Sequence, residues 1–262
     1  MKSIFHILCV VPLVFASSAQ AEDIMTILAR KAEMPSVQIP KTIPYSYTLI
    51  LDVTEREGKE VTEGQAVLRI DPSQPAGERA TIISGGDLES DALKDFLKEI
   101  EDPDNTMEKQ AEEFWCDSND DENAFSDFDL SSFTIISEDD SQAVLRPDAT
   151  LLAEILMQSD SDDQMDKGER KMMEKLLKRI EGEVTLAKPN AEMLGFEVRM
   201  TRPMKMMLVA KLKEMTVKQD CEMAPNGYYH MSSFQMNVSG KALGSRFGQA
   251  LNVQVSDLRP LQ

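Results

Sequence analysis

The chain has 262 residues, 42% of them hydrophobic, with 28 Lys and Arg against 46 Asp and Glu and a formal charge of -18. A field of this sign repels phosphate backbones and anionic head groups, which argues against nucleic acid and against electrostatic docking on a membrane surface. Partners of neutral, apolar or cationic character are left, the acidity also serves plain solubility, and the length is enough to bury a sizeable core.

Residues 1–21 open with Lys2, continue in an apolar run from Ile4 to Phe15 and close on Ala19-Gln20-Ala21. That order is the pattern of a cleavable secretory signal. The expected mature chain, residues 22–262, is a single α+β domain outside the cytoplasm, in the periplasm of a bacterium. No later segment approaches the roughly 20 apolar residues that a membrane span needs. Cys9 lies inside the apolar run without small residues just upstream, so lipidation there is rejected, and Cys116 and Cys221 are left as an even pair. In an exported protein such a pair invites one disulfide; free thiols and a redox pair are the alternatives, and there is no Cys-x-x-Cys spacing.

In chain order, Ile24, Met25, Leu28 and Ala32 mark a short helix that Pro35, Pro40 and Pro44 terminate. Tyr45 to Val53 alternate between apolar and polar residues, Glu57-Gly58 supplies a turn, and Val61 to Ile70 completes a hairpin. A third strand, Arg79 to Ser84, ends at Gly85-Gly86. Leu88, Ala92, Leu93, Phe96, Leu97 and Ile100 then form a helical stripe closed by Pro103, and a second helix runs from Asn105 to Trp115. Asp117 to Asp129 reads as an exposed acidic loop before two short strands, Leu130 to Ser137 and Gln142 to Arg146. Asp148 caps a helix bearing Leu151, Leu152, Ile155 and Leu156, and Ser159 to Asp163 is a second acidic break. Met165, Met172, Met173, Leu176, Leu177 and Ile180 share one face of a further helix whose end is marked by Lys178, Arg179 and Gly182.

From Gly182 onward the period is two. Val184 and Leu186, then Leu194, Phe196, Val198 and Met200, a long run from Met204 to Lys218, a turn at Pro225-Asn226-Gly227, then Tyr228, His230, Phe234, Met236 and Val238, and finally Phe247, Leu251, Val253 and Val255 read as an antiparallel meander. The fold class is therefore α+β: one curved antiparallel sheet, half-barrel-like, covered by a helical layer. No internal repeat is evident in this reading.

The residues offer no recognisable catalytic constellation, and none is assigned to catalysis, to a cofactor or to a metal. The mature chain's one histidine, His230, stands among apolar strand residues as a satisfied core group does, and there is no Gly-x-Ser-x-Gly elbow. Zinc patterns are absent from the sequence. Asp117, Asn119, Asp121 and Asn123 alternate as calcium ligands do, but Glu122 and Phe128 stand where an EF-hand loop has Gly and Glu, which favours a solvated loop. With 46 acids, the sequence gives no way to choose a carboxylate pair for glycoside hydrolysis. Methionines crowd the C-terminal third (Met193, Met200, Met204, Met206, Met207, Met215, Met223, Met231, Met236). Their soft side chains suit core filling first, a deformable apolar cavity second and copper(I) third.

An export signal, an N-terminal helix, hairpin strands, a central helical block and a terminal run of antiparallel strands together resemble the Lol-type carriers that sort lipoproteins across the periplasm, and related exported lipid-binding proteins. The resemblance covers most of the mature chain as an order of elements, and residues 86–182 are longer and more acidic than such a carrier needs. It implies a half-barrel whose concave apolar face, lidded by helices, shelters a lipid chain. On this reading Phe196, Val198, Phe234, Met236, Leu251 and Val253 are the candidate cavity residues, the ligand is a lipid or acyl chain, and the protein is not an enzyme. The alternative is an envelope structural or protein-interaction module with a fully packed core and a protein partner.

Overall fold

The computed structural model describes residues 22–33, 40–85, 91–116, 130–152, 167–207 and 210–261. The expected signal segment and the two acidic stretches, 117–129 and 159–163, lie outside them. The strands are β1 (Tyr45–Glu57), β2 (Glu60–Ile70), β3 (Ala80–Ser84), β4 (Phe133–Glu138), β5 (Gln142–Pro147), β6 (Ile180–Ala187), β7 (Met193–Met200), β8 (Met204–Met207), β9 (Ala210–Met223), β10 (Tyr229–Ala242) and β11 (Ser245–Pro260). The helices are α1 (Ile24–Glu33), α2 (Asp91–Ile100), α3 (Met107–Phe114) and α4 (Lys167–Leu177).

All eleven strands form one open antiparallel sheet in the order β3-β2-β1-β11-β10-β9-β7-β6-β5-β4, with β8 also paired to β9. The chain lays down β1 to β3 at one side, departs from that edge, re-enters at the opposite edge as β4, and returns strand by strand until β11 pairs with β1. The connection between the two edge strands carries α2 and α3, which pack through Phe96, Leu97, Ile100, Ala111, Phe114 and Trp115 on the residues of β1, β2 and β11. β-Bulges at Asp257–Leu258, Ile83, Ile136, Ser232 and Lys213 interrupt the registers. Extra residues of this kind bend a strand and raise its twist, which curls a sheet of this width.

Helices cover one face. Leu49, Leu51, Leu68, Val253 and Val255 lie under α2 and α3; Leu145 and Leu186 lie under α1; Val198 and Ile180 lie under Leu152, Leu176 and Leu177. Local chemistry fixes the helix ends. Asp148 Oδ1 accepts from the backbone N–H groups of Thr150 and Leu151, capping the helical turn at 149–152 as expected. The Glu138 carboxylate accepts from Ile24 N–H at 3.0 Å at the start of α1 and pairs with Lys188 at 2.8 Å. Arg79 and Glu101 lock the α2–α3 corner to the β2–β3 turn. The Arg79 guanidinium donates to the carbonyls of Ile100, Asp102 and Asn105, and Glu101 accepts from the N–H groups of Gly77, Arg79 and Ala80.

Several expectations are corrected. The last helix stops at Leu177; Arg179 closes a turn back to Leu176, Ile180 opens β6, and Gly182 is an interior strand residue opposite Val198. It is glycine because Leu152 lies on it: a Cβ there would meet Leu152 Cδ1 at 2.8 Å. The run from Met204 to Lys218 is not one strand but the two arms β8 and β9. Leu194 falls out of the apolar row because a register shift pairs Leu186 with Met193 instead. The strand reading of Leu130 to Ser137 holds only from Phe133, since Leu130–Ser132 is a 3-10 turn.

The sequence also contains a short repeat that periodicity alone does not reveal. Gln65-Ala66-Val67-Leu68-Arg69 recurs as Gln142-Ala143-Val144-Leu145-Arg146, and Thr81-Ile82-Ile83-Ser84 recurs as Thr134-Ile135-Ile136-Ser137. In the sheet the copies are the two outermost strand pairs. Leu68 pairs with Ile82 and Arg69 with Thr81 at one edge; Leu145 pairs with Ile135 and Arg146 with Thr134 at the other, and each has its bulge at the second isoleucine. The order of the two strands is exchanged along the chain, which is why a linear scan for a period misses it.

Candidate functional site

The six candidate cavity residues share the helix-covered face and fall in two adjoining cross-strand rows. In the first, Gly182, Val198, Val217, Met236, Leu251, Val53 and Gly64 succeed one another across β6, β7, β9, β10, β11, β1 and β2. In the second, Leu145, Val184, Phe196, Gln219, Phe234, Val253, Leu51 and Ala66 do the same from β5 to β2. Period-two alternation found these positions; the residues it missed are their row neighbours Val217, Gln219 and Leu51. Leu51 and Val217 were legible as apolar strand positions, whereas a glutamine in an apolar row gives no such signal.

Burial varies along the rows. Leu51 and Val253 are closed off beneath α3, and Val198 is closed off beneath Leu152. Between them Val217, Met236 and Val238 are half-buried and belong to none of the three packed clusters of the described residues. Phe196, Phe234 and Leu251, also half-buried, flank this strip from the two sides. The result is a band of branched, aromatic and thioether side chains between two helix-covered regions, with the Gln219 amide as a polar group at its edge. The amide lies 3.6 Å from Cys116 Sγ.

The disulfide expected from the cysteine count is present. Cys116, just after α3, is bonded to Cys221 on β9 with the Cα atoms 6.3 Å apart at a sequence separation of 105. It ties the helical lid to the central sheet at one end of the band, and Cys116 N–H also donates to the Tyr229 carbonyl at 3.0 Å. Beside it Tyr47, Trp115 and His230 each pack on Phe114, with ring centroids 5.2, 4.9 and 5.3 Å away. Trp115 Nε1–H reaches the Thr42 carbonyl, and His230 Nδ1 meets the Glu222 carbonyl at 2.8 Å.

This aromatic cluster holds the lid on the sheet. Burial pushes the His230 imidazole below its ordinary pKa. Burial also raises the Tyr47 phenol far above its ordinary range, with the nearby Glu113 adding to the effect. Glu113 is itself raised, by burial first and then by Glu99 and Glu112. Among the described residues no group of three or more His, Cys, Asp or Glu side chains converges as a metal site would require. The calcium-like loop at 117–129 lies outside them.

No family model and no curated protein matches the chain. It is similar to two solved structures over nearly its whole length. One is a LolA superfamily protein from Nitrosomonas europaea, at 12% identity, covering 92% of this chain and 95% of that one with a TM-score of 0.25. The other is a DUF1329 family protein from Desulfovibrio piger, at 10% identity, covering 90% and 91% with a TM-score of 0.27. What the site can do rests on its own residues. No helix among the described residues is long and apolar enough to cross a membrane.

Proposed function

We propose that the band formed by Phe196, Val198, Val217, Phe234, Met236, Leu251 and Val253 holds a lipid or acyl chain, and that the protein is a non-catalytic carrier exported to the periplasm. The observation that carries this reading is the strip of Val217, Met236 and Val238, half-buried and outside every packed cluster of the described residues, between two helix-covered parts of the same face. Half-exposed apolar rows lose hydrophobic stabilisation that an apolar ligand restores, at about 25 cal/mol per Å² covered. Met236 suits ligands of varying shape, because a thioether on three rotatable bonds repacks at little cost. The disulfide fits an oxidising compartment, and the signal-like residues 1–21 fit export.

Native mass spectrometry of the mature protein from an exporting host, followed by organic extraction, tests the proposal. Near-stoichiometric lipid is the expected result, and the substitution Met236→Asp abolishes it while the disulfide still forms. An apo mass that also ignores added fatty acids and phospholipids overturns the carrier reading in favour of a packed interaction module.

A further inference from the structure

The face opposite the helices bears a feature that the carrier reading does not use. Lys205 of β8 pairs with Lys211 of β9, Lys211 with Lys241 of β10, and Lys241 with Arg246 of β11. Four adjacent strands thus present a cation at one register position, in a row about 14 Å long at ordinary strand spacing. All four are exposed. Alternation puts them on the outer face, since Met204, Leu212 and Gly240 in the adjoining row are buried.

Like charges set directly opposite in a sheet are destabilising. This chain has 46 acids against 28 Lys and Arg with which to neutralise such a row. Instead, among the described residues the ion pairs of this face involve Arg146, Arg199, Lys218, Arg69 and Arg259, and none engages these four cations. The acid facing the row from the next register position is Glu214, whose carboxylate accepts from Ser239 Oγ. Arg56, also exposed, sits beside Gly248 in that position. Gly58 at the β1–β2 turn donates to the Arg246 carbonyl, which brings Lys59 to the same end of the sheet together with Glu57 and Glu60.

The β10–β11 turn just beyond the row is Leu243-Gly244. Leu243 is 82% exposed and takes a φ of 51°, a conformation that asparagine or glycine adopts more readily in such a turn. A leucine held outward at a strained tip, next to cations that no ion pair among the described residues engages, matches an interface that is anionic at its surface and apolar a few ångströms in. An acidic protein surface accounts for the cations and gives the leucine no partner. We propose that this end of the sheet docks on an anionic lipid bilayer, with Lys205, Lys211, Lys241 and Arg246 on head-group phosphates and Leu243 entering the interface. The net charge of -18 by itself argues against such docking and works against it, but at about 0.1 M salt the acids more than roughly 10 Å from the row are largely screened. The inference stands apart from ligand carriage, since it concerns the opposite face and reads out as salt-reversible surface binding.

Co-sedimentation of the mature, disulfide-bonded protein with vesicles tests it, using phosphatidylcholine and phosphatidylglycerol in equal parts against phosphatidylcholine alone, at about 0.1 M salt and at about 1 M salt. Binding to the anionic vesicles that high salt reverses is expected. The double substitution Lys211→Gln with Lys241→Gln weakens it about 25-fold, or five-fold per cation, and Leu243→Ser about ten-fold. Lys98→Gln, on exposed α2, leaves binding unchanged, and thermal melts verify that each variant is folded. If the wild type ignores anionic vesicles, binds both vesicle types alike, or survives the double substitution undiminished, the proposal fails. Salt-sensitive capture by polyglutamate without vesicle binding overturns it in favour of an acidic protein partner.

Discussion

Leu152 lies directly on Gly182: a Cβ at position 182 would stand 2.8 Å from Leu152 Cδ1, in the row that continues to Val198 and Met236. The helical turn capped by Asp148 thereby reaches the sheet itself.

The substitution Gly182→Val is expected to cost about 1–3 kcal/mol, because the added methyl groups drive Leu152 off its seat. In the Leu152→Ala background the same change costs less, since the clashing atoms are gone. Thermal melts of the four-member cycle measure this coupling, and strict additivity would sink the contact.

Removing the Cys116–Cys221 bond by the double substitution to serine is expected to destabilise the protein by about 2–5 kcal/mol, as closure of a long loop predicts. The lid around Phe114 and Trp115 is the first part to open. Hydrogen exchange of the oxidised protein and the variant compares protection at 107–116 with that at β1 and β11, and equal losses everywhere would contradict the local effect.

Arg79→Met removes a guanidinium that holds three backbone carbonyls at the α2–α3 corner. A cost of about 2 kcal/mol is expected, and Arg79→Lys recovers only part of it because a single ammonium cannot hold the three carbonyls that accept from Nη1 and also Gln74 O, which accepts from Nε at 3.3 Å. Urea unfolding of the two variants gives the comparison.

His230 supplies a pH dependence whose sign follows from its burial. Its folded pKa lies below the ordinary 6.5, so the unfolded chain takes up a proton first as pH falls, and stability declines as pH drops below about 6.5. The raised Glu113 acts in the opposite sense, since its folded form holds a proton more tightly than the unfolded chain and favours folding as pH falls. The difference in melting temperature between wild type and His230→Phe, followed from pH 7 downward, isolates the histidine. A difference that does not change with pH would refute the assignment.

Much of the fold is legible in the residues. Alternation at Tyr45 to Val53 and at Phe247 to Val255 identifies β1 and β11, but nothing local says that they pair, because that contact joins opposite ends of the chain and depends on sheet order. Gly182 looks like a helix stop for the same reason: glycine marks both helix ends and close approaches, and only the arrival of Leu152 distinguishes them. Phe196, Val198, Phe234, Met236, Leu251 and Val253 share a face by period two alone, whereas their alignment across β7, β10 and β11, the place of Gln219 among them and the half-buried strip between the clusters of the described residues require the register.

By itself the sequence determined the signal-like start, the even cysteine pair, the α+β class and the apolar face, because each depends on composition or on spacing within one segment. Tertiary structure alone decided that the two repeated strand pairs sit at opposite edges of the sheet, which cations line up across β8 to β11, and which apolar rows the described helices cover. These are relations between segments far apart in the chain, set by strand order and by bulges that shift a side chain's row. A local pattern contains no information about either.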